Sequence, residues 1–270
     1  MNVSFSSKLA TLRQQKSSVL CVGLDPDPSK IPAHLLTDSS LTSAVIHFCT
    51  SIIEATSTAA VAYKINFAFF EALGDTGMSA LREVLQAIPE DALTIADAKR
   101  GDIGNSASFY AQSVYEDLGF DSITLSPYMG KDSITPFLSF SNTCSFVLAR
   151  TSNPGGADFQ NMVFEGKPLF IHVASKVEQW ASECPGEGGL VVGATDIDSM
   201  AQLRTSFPSA PFLIPGVGSQ GGSAKDVMDA SGGGPVLINS SRAIIYASSG
   251  QDFAQRASDV AHQTQLELGS

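Results

Sequence analysis

The sequence predicts a single parallel (β/α)8 barrel, the TIM-barrel architecture, occupying residues 1–270 as one domain. Two observations carry this. Eight short, mostly apolar runs recur along the whole chain, and runs that are apolar throughout rather than alternating suit strands buried on both faces. Segments with helical spacing lie between them, and strands alternating with helices define a parallel barrel. By length alone, 270 residues is one large or two small domains, a ratio of about 1.8 to a typical domain of ~150 residues.

In order, the runs are Val19–Leu24, Val61–Ile65, Leu93–Ala96, Ile123–Leu125, Phe146–Ala149, Leu190–Val192, Phe212–Ile214 and Val236–Ile238. Leu41, Val45, Phe48 and Ile52 mark a helix after the first run. Met78, Leu81, Leu85 and Ile88 mark one after the second, and Met200, Leu203 and Phe207 one after the sixth. Pro168–Ala174 has the composition of a ninth strand, but the steps of Leu169, Val173, Val177 and Trp180 read it as the start of a helix after the fifth run. No internal repeat or low-complexity linker divides the chain.

Composition narrows the function. With 16 basic and 27 acidic side chains the net charge is −11, which repels nucleic acid and anionic membranes at long range. An anionic small molecule could bind only through individual lysines and arginines. No apolar run approaches 18 residues, and the N-terminus does not read as a signal peptide. Cys21, Cys49, Cys144 and Cys184 stand 28, 95 and 40 residues apart, with no zinc-type spacing, so they read as reduced thiols of a cytoplasmic protein.

Charged and hydroxylic residues gather at the C-terminal ends of the runs, the face where barrels build their sites. Asp25 follows the first run, Lys64 ends the second, and Asp97 with Lys99 ends the third. Thr151 and Ser152 follow the fifth, Pro215 and Gly216 the seventh, and Ser240, Ser241 and Arg242 the eighth. In Asp97-Ala98-Lys99-Arg100-Gly101-Asp102, strand spacing would aim Asp97 and Lys99 to one side, where the carboxylate keeps the ammonium protonated as a proton donor requires. A salt-bridged turn after a strand would use the same residues. Lys64 lies inside an apolar run and needs Asp25 or Asp97 beside it, either as part of a site or as a snorkelling edge lysine. The glycines of Gly216–Gly222 free backbone N–H groups for an anion, and Arg242 supplies a charged fork after the next run. Thr151–Gly156 and Asp25–Pro28 read as turns by composition, and the four histidines show no ligand spacing.

Taken together these stretches resemble orotidine 5′-phosphate decarboxylase, in the longer-chain branch of that family. The likeness rests on VGLDPDP (22–28), YKINFAFFE (63–71), DAKRGDIGNSA (97–107), ARTSNPG (149–155), LVVGAT (190–195), PGVGSQGG (215–222) and SSRAIIY (240–246), which occur in family order over most of the chain. The resemblance implies a decarboxylase without cofactor or metal, turning orotidine 5′-phosphate into UMP at the last step of de novo pyrimidine synthesis. It implies that Lys99 protonates C6 of the pyrimidine and that Asp97 faces the departing carboxylate. Asp102 would reach into the neighbouring subunit's site, which requires a homodimer. Asp25 and Lys64 would join the charged array and hold ribose hydroxyls, and Ser152 would bond the pyrimidine. Gln220 and Arg242 would bind phosphate, with Pro215 and Ser241 among the substrate contacts. Ser106 stands where the family pattern has threonine, keeping a hydroxyl and losing a methyl. A magnesium-dependent sugar-phosphate lyase on the same barrel and a non-catalytic nucleotide-binding barrel are the competing readings. The TSNPG stretch argues against the first, and the joint presence of Asp25, Lys64, Asp97, Lys99, Asp102 and Arg242 against the second.

Overall fold

The computed structural model describes residues 3–37, 39–217 and 223–269. Eight strands form a closed barrel in chain order: β1 Leu20–Leu24, β2 Ala62–Asn66, β3 Leu93–Arg100, β4 Ser122–Leu125, β5 Cys144–Arg150, β6 Glu187–Val192, β7 Phe212–Pro215 and β8 Val236–Ser240. Each expected run is a strand. Every residue of β1, β4 and β8 is buried; in β1 this leaves no polar side chain on either face, whereas β4 buries Ser122 and Thr124 between its apolar residues.

The chain falls into two compact units. One holds Thr11–Ala98 with the segment from Asn239 onward, and in it β1 pairs parallel with β2 and β2 with β3, placing Gly23 opposite Lys64 and Asn66 opposite Asp97. The other holds the chain up to Ala10 and Lys99–Ile238. There β4 through β7 pair in sequence, with an irregularity in β5 between Leu148 and Arg150.

The expected helices form, with faces rotated from the simplest reading. In Leu41–Thr56 the inward face is Ala44, Val45, Phe48, Cys49, Ile52 and Ile53, while Leu41 in the first turn is exposed. In Gly77–Gln86, Leu81 and Leu85 are buried with Ala80 and Val84, whereas Met78 is exposed and Ile88 lies beyond the helix. Leu169–Ala181 buries Phe170, Ile171, Ala174 and Val177, leaving Leu169 exposed. Small residues such as Ala44, Ala80 and Ala174 give weak periodic signals but permit the closest approach, so they sit at the centre of the buried stripe.

Two local features were not expected. A short antiparallel hairpin, Val163–Phe164 with Lys167–Pro168, turns through Glu165 and Gly166, both at positive φ (49° and 75°). This is the backbone of a tight two-residue hairpin turn. Arg204, in the helix Ile197–Ser206, is buried and stacks on the ring of Phe212, with its guanidinium 3.7 Å from the centroid. Its Nη1 donates to the carbonyls of Phe207, Pro208 and Ala210, and Nη2 to that of Pro235. One side chain thus ties together the segments entering β7 and β8. A Cβ at Gly234 would come within 2.5 Å of the guanidinium carbon, so the backbone there lies directly on it. Burial lowers the guanidinium's pKa to about 10, leaving it charged at neutral pH.

Replacing Arg204 by alanine removes the donor from four carbonyls at once. Urea unfolding of Arg204→Ala is expected to show a loss of more than about 2 kcal/mol. A change within 0.5 kcal/mol, the ordinary range for a surface substitution, would contradict this role.

Candidate active site

Four of the expected site residues meet in one cluster. Lys64 emerges near the end of β2 with only 4% of its surface exposed, and Asp97, at 8%, lies near the end of β3. Lys64 Nζ donates to Asp97 Oδ2 at 2.6 Å and stands 3.8 Å from Asp25 Oδ1. The other oxygen of Asp25 accepts a hydrogen bond from Ser241 Oγ at 2.6 Å. Burial works to discharge Lys64, but the attraction of Asp97 and Asp25 and the hydrogen bond to Asp97 outweigh it. The ammonium is held above its ordinary range. Lys64 is therefore a buried, paired lysine and not a snorkelling one.

The surroundings fix this cluster. A Cβ at Gly23 would lie 2.7 Å from Ser241 Cβ, so only glycine lets β1 approach Ser241 this closely. Tyr246 donates its hydroxyl to the carbonyl of Asp25 at 2.7 Å and accepts from the N–H of Asp27 at 2.6 Å, pinning the turn that carries Asp25. Cys21 donates its thiol to Asn239 Oδ1 at 3.6 Å. Burial pushes that thiol up to about 12, against the opposing pull of Lys64, so it stays neutral. Arg242 follows Ser241 as the exposed first residue of the helical turn Arg242–Ile245.

The second unit carries the remaining site residues. Lys99 lies on β3 but takes φ 46°, a left-handed conformation that costs a non-glycine residue about 1–3 kcal/mol. Regular strand dihedrals therefore do not extend to Lys99, although it is the last but one residue of β3. Its N–H donates to Thr124 Oγ1 at 3.0 Å, which secures the kink. Asp102 is half-buried and accepts from the N–H of Ile103. Ser106 is exposed on the helix Gly104–Gln112. Ser152 is half-buried beyond β5, and Pro215 ends β7. Gln220 and the rest of 218–222 lie outside the described residues.

Other residues around these sites gave little or no sequence signal. Arg150 Nε pairs with Asp196 Oδ2 at 3.0 Å, and Gln160 bonds the backbone of Thr151. Burial raises the Asp196 carboxyl, but hydrogen bonds from Ser199 and Arg150 prevail and hold it below its usual range. Asp196 caps its helix by accepting from Ser199 N, a spacing visible in Asp-x-x-Ser. Gln160 had no such cue.

A parallel barrel with a paired ammonium at its strand ends is the architecture of a barrel enzyme. The chain belongs to the orotidine 5′-phosphate decarboxylase / HUMPS family, whose model matches residues 18–257. An orotidine 5′-phosphate decarboxylase of Herpetosiphon aurantiacus is 46% identical over 259 residues, covering 95% of each chain. Among solved structures, the OMP decarboxylase of Leishmania donovani superposes with a TM-score of 0.84 at 36% identity, covering 99% of this chain and all of that one. The UMP synthase of the same organism also gives 0.84, at 38% identity over 97% of this chain, which spans only 56% of that longer protein.

Lys64→Met removes the ammonium that pairs with buried Asp97 and half-buried Asp25, and removing one partner of a buried pair costs about 3–5 kcal/mol. Chemical denaturation at pH 7 is expected to show a loss of that order. Because the folded pKa of Lys64 is raised, its stabilisation is complete below the unfolded value of about 10.4 and is lost as pH rises through the folded one. The wild-type protein should therefore lose stability in this alkaline range more steeply than Lys64→Met, as followed by denaturation midpoints from pH 9 upward.

Proposed function

We propose that this chain converts orotidine 5′-phosphate to UMP and carbon dioxide, acting as a cytoplasmic homodimer in which residues 1–270 form one catalytic domain. The observation that carries the reading is the charged cluster at the strand ends, with Lys64 held between Asp97 and Asp25, in a member of this family. The C6–carboxylate bond breaks, and the electron pair left at C6 is taken up by a proton from Lys99. Asp97 faces the scissile carboxylate, whose negative charge is disfavoured there and disappears as neutral carbon dioxide leaves. Lys64 neutralises Asp97 and Asp25 and contacts the ribose hydroxyls with Asp25. Ser152 bonds the pyrimidine and Ser106 the ribose, Gln220 and Arg242 bind the phosphate, and Pro215 and Ser241 are among the substrate contacts. Phosphate binding far from C6 supplies energy that organises the charged site. The reading invokes no cofactor, no nucleic acid and no membrane. Among the described residues no helix is long and apolar enough to cross one.

The dimer reading has its own support. Ile103, directly after Asp102, is exposed, and so are Phe109 (63%), Tyr128 (89%) and Met129. Large exposed apolar side chains of this kind mark interaction surfaces. Asp102 then crosses to the site of the second copy.

Lys99→Ala is expected to abolish turnover, followed by loss of orotidine 5′-phosphate absorbance, while UMP still binds. Activity within about tenfold of wild type would mean that Lys99 is not the proton donor, since that change is only about 1.4 kcal/mol of barrier. Wild-type activity should survive EDTA; its loss would favour the magnesium-dependent lyase instead.

Lys99→Ala and Asp102→Ala homodimers should both be nearly inactive. When the two are unfolded together and refolded, about half the dimers are mixed, and each mixed dimer has one intact site. Recovery of roughly a quarter of wild-type activity is expected. No recovery despite confirmed subunit exchange would place Asp102 in its own subunit's site.

A further inference from the structure

We infer that Gln160 is a positioning residue for Ser152, setting the backbone from which Ser152 meets the pyrimidine; this rests on the reading of Ser152 given above. The ladder of β5 ends at Arg150, whose carbonyl accepts from Gly193 N at 2.7 Å. Past that point Thr151, Ser152 and Asn153 need another support. Gln160, half-buried and ten residues from Arg150, returns its carboxamide to them. Its Oε1 accepts from Thr151 N at 2.9 Å and from Arg150 Nη1 at 3.3 Å. Its Nε2 donates to Thr151 Oγ1 at 2.8 Å, and that hydroxyl donates to Asn153 Oδ1 at 2.6 Å. Arg150 Nη1 also donates to the Thr151 carbonyl at 3.0 Å, so both main-chain polar groups of Thr151 are fixed.

Four of these bonds end on Thr151 or Asn153, the residues flanking Ser152, and none uses the Ser152 hydroxyl. Sterics close the clamp. A Cβ at Gly193 would lie 2.7 Å from Ser152 N and 2.9 Å from its Cα, so the end of β6 presses on Ser152 from the other side. A Cβ at Gly156 would lie 2.9 Å from both Arg150 Nη1 and Gln160 Oε1. Space for the carboxamide is thus reserved by a glycine. A hydrogen-bonding side chain discriminates only when its own position is fixed to a fraction of an ångström, and Gln160 supplies that fixity from outside the site.

The test measures UMP and ribose 5-phosphate affinity by calorimetry in Gln160→Ala, Ser152→Ala and the double variant. Ribose 5-phosphate carries the phosphate and sugar but no base. Gln160→Ala is expected to weaken UMP roughly tenfold, about what one lost hydrogen bond is worth, and to leave ribose 5-phosphate within twofold. In the Ser152→Ala background the same change should cost less than about twofold, because the group it positions is gone. Gln160→Glu keeps the acceptor for Thr151 N and loses the Nε2 donor, so it should fall between wild type and Gln160→Ala, and it serves if the alanine variant does not fold. Equal weakening of both ligands, or an undiminished effect in the Ser152→Ala background, would overturn the inference in favour of a purely structural loop. Unchanged UMP affinity in Ser152→Ala would instead remove the reading of Ser152 itself, and the inference with it.

Discussion

A lysine ammonium taken almost wholly out of water must be surrounded by negative charge or lose its proton, and much of the architecture around β1, β2 and β3 answers that constraint at Lys64. Asp97 meets it at 2.6 Å and Asp25 at 3.8 Å. Each then needs holding in turn. Asp25 is oriented by Ser241, and the turn behind it by Tyr246. Ser241 can come this close only because residue 23 is glycine. The neutral thiol of Cys21 adds no further charge to the cluster. A chain of dependencies thus runs from one buried charge to residues more than 200 positions apart in sequence.

The barrel was legible because burial on two faces leaves an unmistakable record. A strand such as Leu20–Leu24 has no solvent side, so nothing polar interrupts it. Helix faces were less legible. Alanines at 44, 80 and 174 lie at the contact, whereas larger residues at 41, 78 and 169 lie outside it. Arg204 was invisible for a different reason. In sequence it is one charged residue on an amphipathic helix, and only the fold brings four carbonyls to it.

Residues that act by their own charge at a strand end could be read from position and type, as with Asp25, Lys64 and Asp97. Their pairing could be read too, since a buried lysine implies its carboxylates. What could not be read is direction and support. The reversed φ of Lys99 has no counterpart in residue type or spacing. The grip of Gln160 on Thr151 depends on a loop conformation that no periodicity encodes.

The left-handed backbone at Lys99 carries a consequence for how this protein could be altered. Glycine adopts that conformation without steric cost, and asparagine tolerates it better than lysine does. At this position the residue that suits the backbone and the residue that suits the proposed chemistry are different. Selection of variants by thermal resistance alone would accept glycine at 99 and discard the ammonium, whereas selection by growth without any supply of the reaction product would keep the strained lysine. The strain is a local record that this backbone is not shaped for stability alone.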